Sequence, residues 1–252
     1  MQATGWGALM KFFPAIACAL LLGSVPAQAA DAPAMPVPFE PMNPGGKVDH
    51  IGQARRLAAA IVVADGAQPK SIVDVGSFTG EFLEAFMAQF PQAHGQWTEP
   101  VDNNQVNAQH RFARYGNRLT YRIGCPGRDL AQGCVPAGVD VLLSSWLTIH
   151  QNLDGIRDFH RRAYAMLPDG GWIAVIDHTR ADPRWAARLG KARETLTGLD
   201  LAAQQEGPPV HHPEFVTPSL EEQIAAMREA GFGSVRVVWS RLDTVLLMAR
   251  KN

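Results

Sequence analysis

The sequence predicts an α/β fold: a doubly wound, mostly parallel seven-stranded sheet that ends in a C-terminal antiparallel hairpin. Three observations carry that expectation. From residue 50 onward, short apolar segments alternate with segments of helical periodicity, the pattern of parallel strands joined by crossover helices. A glycine turn, Gly76-Ser77-Phe78-Thr79-Gly80, separates the first strand from the helix that follows it. The last two strands are joined only by Ser240-Arg241-Leu242-Asp243, too short for a crossover and suited to a hairpin.

The elements follow in order. Ile51, Ala54, Leu57, Ala58 and Ile61 recur at helical spacing and predict a helix from His50 to about Ala64. Ser71–Val75 is a short apolar strand that runs into the glycine turn. Glu81–Phe90 is a helix with Phe82, Leu83, Phe86 and Phe90 on one side. Residues 95–98 form a second strand ending at Glu99-Pro100, and Val101–Tyr115 is helical in pattern. Leu119–Ile123 is a third strand. Val139–Ser144 is nearly all apolar, as a strand covered on both faces should be. Leu153–Met166 is a helix stopped by Pro168-Asp169-Gly170-Gly171, and Trp172–Ile176 is a fifth strand. Ser219–Ala230 is a helix with Ser219 as N-cap and Glu222 three positions on, a capping-box pattern. Val235–Trp239 and Thr244–Ala249 complete the sheet.

Composition excludes several classes. The 252 residues are 46% hydrophobic and 19% charged with a formal net charge of -1, which suits a sizeable core and argues against disorder. The absence of a basic excess argues against a nucleic-acid partner. Three cysteines are too few for a disulfide framework. Residues 1–30 read as a secretory signal peptide: Lys11, an apolar run from Phe12 to Leu22, helix breakers, and Ala27-Gln28-Ala29 as a small-x-small cleavage site. The run is short for a membrane span, so no stable insertion is expected after cleavage, and the protein is expected to be exported, in a bacterium to the periplasm. An uncleaved leader acting as a membrane anchor is the alternative. Residues 31–46 are a Pro/Ala-rich linker, and residues 47–252 form one domain. Export leaves Cys125 and Cys134 as an even pair, for which a disulfide and two free thiols are both open.

The glycine turn carries the chemistry. Asp74-x-Gly76-x-x-x-Gly80, directly after a strand and opening a helix, is a cofactor turn: glycine lets the backbone approach a ligand, and the helix N-terminus faces it. In doubly wound sheets such a site lies at the C-terminal strand ends, where strand order reverses. The dinucleotide Gly-x-Gly-x-x-Gly spacing is absent, and no Gly-Lys-Ser/Thr follows for a P-loop.

Over residues 50–250 the chain resembles class I S-adenosylmethionine-dependent methyltransferases, a Rossmann-like family. Val73-Asp74-Val75-Gly76-Ser77-Phe78-Thr79-Gly80 is similar to their first motif, with Phe78 where a middle glycine is usual. The resemblance implies S-adenosylmethionine as co-substrate, with Asp74, Gly76, Ser77, Phe78 and Gly80 at the cofactor. It implies that Glu99 takes the ribose hydroxyls, a role that suits a carboxylate's paired acceptors. It places Asp129 at the adenine amine and Ser144 and Ser145 at the donor pocket. Leu167-Pro168-Asp169-Gly170-Gly171 is similar to the family's turn before strand five. A closer resemblance is to predicted bacterial methyltransferases with export signals, which implies roles for His150 and the pair Asp177-His178.

An oxygen acceptor needs a base near neutral pH, which histidine supplies. His150 or His178 is the expected base, with Asp177 orienting an imidazole. The acceptor is expected to be a small molecule methylated at oxygen or nitrogen. No metal is expected, because Ser144-Ser145 stands where metal-dependent relatives carry a carboxylate; His211 and His212 are expected to line a loop. Arg180–Thr217 is the expected acceptor lid, containing a helix around Trp185, Ala187, Leu189 and Leu196. Export raises an alternative, since the donor is cytosolic: a binding protein that keeps the fold without transfer activity.

Overall fold

The computed structural model describes residues 49–125, 130, 133–146, 151–198 and 217–252. The predicted signal peptide and linker lie outside these residues, as do Asp129, His150, His211 and His212. Along the chain run α1 (His50–Ala64), β1 (Ser71–Val75), α2 (Glu81–Gln89), β2 (His94–Glu99), α3 (Gln105–Phe112), a 3-10 turn (Ala113–Arg118), β3 (Leu119–Ile123), β4 (Val141–Ser145), α4 (Leu153–Met166), β5 (Trp172–His178), α5 (Pro183–Gly198), α6 (Leu220–Glu229), β6 (Ser234–Arg241) and β7 (Thr244–Arg250). One seven-stranded sheet has the order β3-β2-β1-β4-β5-β7-β6. The first five strands are parallel; β7 is antiparallel to both β5 and β6.

Strand alternation divides the core between the two faces of the sheet. Ile72, Leu143, Ala174 and Leu246 pack with Ala54, Ala58, Phe82, Phe86 and Phe112 on one face. Val73, Leu142, Ile173 and Leu247 pack with Phe159, Ala163 and Met227 on the other. Helix starts are capped as their sequences dictate. Asp49 accepts the Gly52 N–H, Asn152 accepts the Gly155 N–H, and Ser219 with Glu222 forms the predicted capping box.

Several boundaries differ from expectation for identifiable reasons. Residues 101–104 are not helical: α3 begins at Gln105, whose N–H closes a turn on the Asp102 carbonyl. The segment after Phe112 tightens into the 3-10 turn and leaves helical geometry at Gly116. β4 starts at Val141, because the Asp140 carboxylate is turned onto the Lys70 and Ser71 N–H groups at the foot of β1. β5 runs two residues further than apolarity alone suggests, since Asp177 and His178 pair with Val245 and Thr244 of the hairpin. The predicted helix in the lid region exists as α5.

Candidate functional site

Sheet order reverses between β1 and β4, and the carboxyl ends of β1, β2, β4 and β5 converge at that edge. The turn after β1 is pinned to β2. Gly76 and Ser77 donate their N–H groups to the Thr98 carbonyl at 3.1 and 3.2 Å, and Ser77 Oγ donates to the Asp74 carbonyl at 2.7 Å. Phe78 donates its N–H to Glu99 Oε1, while the Phe78 carbonyl accepts Trp97 Nε1–H at 2.9 Å. Phe78 has φ +52°, a backbone region that favours glycine, so two partners from β2 hold a phenylalanine in the conformation of the residue it replaces. Phe78 is half exposed.

The two glycines of the turn serve different ends. Gly76 has φ +69°, and a Cβ there would meet only the Ser145 carbonyl, at 3.7 Å, so space beside it stays open. Gly80 has φ +89°, and a Cβ would lie 2.6 Å from two atoms of the Phe112 ring. Gly80 therefore permits α3 to approach the turn. It is also the N-cap of α2 and has no side chain to cap with. Asp74 supplies the missing cap from below: its Oδ2 accepts the Leu83 N–H at 3.2 Å. Asp74 is fully buried and its Oδ1 has no hydrogen-bond partner. Burial pushes its carboxyl up to about 7, opposed by the Arg55 guanidinium from α1.

Glu99 ends β2 almost fully buried, and burial raises its pKa against the lowering effect of the Phe78 N–H. Ser144 and Ser145 end β4, both buried, with Ser144 Oγ unpartnered. Trp146 follows with φ +58° and donates its N–H to the Ile176 carbonyl at 2.9 Å. Asp177 is fully buried, and its Oδ1 accepts the His178 main-chain N–H at 2.8 Å. The His178 ring lies 4.7 Å from the Trp146 ring, tilted by 32°. Its Nδ1 is 3.2 Å from Thr244 Oγ1 and 3.8 Å from Asp243 Oδ1. Cys125 and Cys134 form a disulfide with Cα atoms 5.6 Å apart. The Cys125 N–H donates to the Glu99 carbonyl, and the Cys134 carbonyl accepts Gln96 Nε2–H, so the disulfide loop is fastened to β2 at both ends.

The structure thus brings together Gly76, Ser77, Phe78, Glu99, Ser144, Ser145, Asp177 and His178, and sets Asp74 and Gly80 beneath and behind the turn. Sequence reasoning passed over Trp97, Arg55, Gln223, Asp243 and Thr244. The last two were accessible in principle, because hairpin register opposite β5 puts Thr244 across from His178. Val101, two residues beyond Glu99 in sequence, is exposed. Among the described residues, no group of three or more His, Cys, Asp or Glu is placed to hold a metal ion.

The donor set fits S-adenosylmethionine. The space beside Gly76 would admit a ligand lying against the backbone, and the largely buried Glu99 carboxylate is of the type that accepts from a diol.

The fold is that of class I S-adenosylmethionine-dependent methyltransferases. An O-methyltransferase family protein from Burkholderia thailandensis superposes with a TM-score of 0.56 at 15% identity, covering 80% of this chain and 57% of that one. A possible exported protein from Bordetella parapertussis gives 0.58 at 17% identity over 78% of this chain and 67% of that one. Human N-acetylserotonin methyltransferase, solved in complex with SAM, gives 0.53 at 17% identity over 80% and 51%. The match spans little more than half the length of the two methyltransferases. No protein-family model matches the sequence, and no curated protein does.

Proposed function

We propose that the chain transfers a methyl group from S-adenosylmethionine to a small-molecule acceptor, at oxygen or nitrogen. One observation carries this reading: Glu99 closes onto the glycine turn at the carboxyl ends of β1 and β2, in a sheet of order β3-β2-β1-β4-β5-β7-β6. When bound, the sulfonium supplies an already activated methyl group, so the protein's task is to hold an acceptor in line and exclude water.

The assignments follow the placement of the residues. Gly76, Ser77 and Phe78 form the wall along the donor, and Glu99 accepts the ribose hydroxyls. Asp74 and Gly80 hold the turn in shape. Val101 offers an apolar face to a purine, and Asp129 is assigned to the adenine amine. Ser144 and Ser145 flank the methionine end. His178 is the base, with His150 as the other candidate. Asp177 faces away from the His178 ring, so the imidazole it is assigned to orient is that of His150, and its Oδ1 also tethers the strand end that carries His178.

The alternative reading, a binding protein without transfer activity, leans on Phe78 in the glycine position. Phe78 adopts the conformation the turn requires, so that replacement leaves the turn intact. We read the protein as exported to an oxidising compartment, a reading supported by the Cys125–Cys134 disulfide and the likeness to a possible exported protein. Among the described residues no helix is long and apolar enough to cross a membrane.

Calorimetric titration of S-adenosylmethionine tests the proposal. Micromolar binding is expected. Glu99→Gln keeps an acceptor for the Phe78 N–H but loses the charge, and should weaken binding about 10- to 100-fold. Absence of binding by the folded wild-type protein would overturn the methyltransferase reading.

A further inference from the structure

We infer that Asp243, carried on the turn of the β6–β7 hairpin, is a positioning residue that fixes the tautomer of His178. Its carboxylate keeps the ring proton on Nδ1 and leaves Nε2 as the basic nitrogen. The inference rests on the methyltransferase reading for its purpose, and on the geometry of the hairpin for its content.

β7 is antiparallel to β5, so its first residues lie beside the last residues of β5, at the cofactor edge of the sheet. Thr244 is the register partner of His178, and Asp243 immediately precedes it. The hairpin turn is fastened there: the Asp243 carbonyl accepts both the N–H and the Oγ1–H of Thr179, at 2.7 and 3.1 Å. The ring is fastened as well. Trp146 covers one of its faces, and the His178 carbonyl accepts Gln223 Nε2–H from α6 at 2.9 Å.

Nδ1 therefore has a defined neighbourhood, and two proton arrangements compete for it. In one, Nδ1–H donates to Thr244 Oγ1. In the other, the Thr244 hydroxyl donates to a bare Nδ1 and the proton sits on Nε2. The Asp243 carboxylate, 3.8 Å from Nδ1, attracts an N–H and repels a lone pair, so it selects the first. Two other charges close in sequence have partners of their own. Asp177 points to the opposite side of the strand, with Oδ1 on the His178 main-chain N–H. Arg180 is held by Glu222 at 3.1 Å and by the Thr217 carbonyl.

A ring held in this tautomer serves an acceptor that must give up a proton. The O–H bond of such an acceptor would break and its proton would bond to Nε2, while the electron pair left on oxygen bonds to the methyl carbon as the S–CH3 bond breaks and its pair passes to sulfur, leaving a neutral thioether. The acceptor class implied is a hydroxyl compound rather than a neutral amine.

Long-range nitrogen–proton NMR correlations of the protein labelled with 15N-histidine distinguish the tautomers. His178→Gln identifies the ring by the signals it removes, and Trp146→Phe identifies it independently by changing the ring-current shift. The expected result is Nδ1–H with bare Nε2 in the wild type, a change of about tenfold toward Nε2–H in Asp243→Asn, and recovery in Asp243→Glu. A wild-type ring protonated on Nε2, or a tautomer ratio that Asp243→Asn does not move, would overturn the inference. Titration of S-adenosylmethionine into the wild-type protein is a separate readout. Its failure removes the methyltransferase reading, whereas the NMR result bears on the His178–Asp243 relationship alone.

Discussion

Phe78 and Glu99 close on each other across the cleft between the first two strands. The main-chain N–H of one donates to the carboxylate of the other, and the Phe78 carbonyl takes the indole N–H of Trp97. The turn is thereby gripped from β2 on both sides of a residue at φ +52°. The carboxylate assigned to the ribose is also a structural part of the turn.

The backbone cost at position 78 can be isolated by comparing two variants that both delete the ring. Phe78→Gly should be more stable than Phe78→Ala by about 1 kcal/mol, because only glycine takes positive φ freely. Urea unfolding of the pair measures the difference. Equal stabilities would mean that the turn relaxes out of this conformation when the ring is absent.

Gly80 and Gly76 should respond differently to a methyl group. Gly76→Ala meets only the φ penalty, about 1–2 kcal/mol. Gly80→Ala meets that penalty and the Phe112 ring, and should lose roughly 2–4 kcal/mol. Thermal denaturation of both proteins tests the order. Phe112→Leu should recover part of the loss in Gly80→Ala.

Asp74 couples stability to pH. Its carboxyl titrates at about 7 when folded, against an ordinary value of 3.8. Between those values folded Asp74 holds a proton that the unfolded chain has lost, so this group's contribution to stability is greatest below about 4 and falls as pH rises toward 7. Asp74→Asn should flatten that part of the stability profile, as followed by denaturant unfolding at a series of pH values. An unchanged slope would assign the dependence to other groups.

The disulfide closes a loop across a sequence separation of 9 residues. Chain entropy assigns a loop of this size about 2–3 kcal/mol. Cys125→Ser with Cys134→Ser should lose that much in urea unfolding. Alkylation followed by intact-mass measurement should find neither thiol modified until the protein is reduced.

Much of this architecture was legible in local sequence. The Ser219 and Glu222 pair announced its helix start, and the apolar run through Leu142 and Leu143 announced a strand buried on both faces. What local pattern missed was set by distant partners. β5 continues to His178 because β7 lies alongside it, and the segment after Pro100 turns before it becomes helical. The site followed the same division. The glycine turn and Glu99 announced themselves by spacing. Thr244 and Asp243 come to the His178 ring from more than sixty residues away and become visible only once the hairpin's register is known.

The position of β7 has a consequence for the order in which the protein comes into being. It follows β6 in the chain, yet it lies inside the sheet, between β5 and β6. Until Thr244–Arg250 has been added, β5 is an open edge of Trp172, Ile173, Ala174, Val175 and Ile176, the kind of unpaired apolar strand that recruits wrong partners. A chain emerging from synthesis therefore carries this open apolar edge until β7 has followed and paired with it. The ring of His178 acquires Asp243 and Thr244 in the same event that covers that edge.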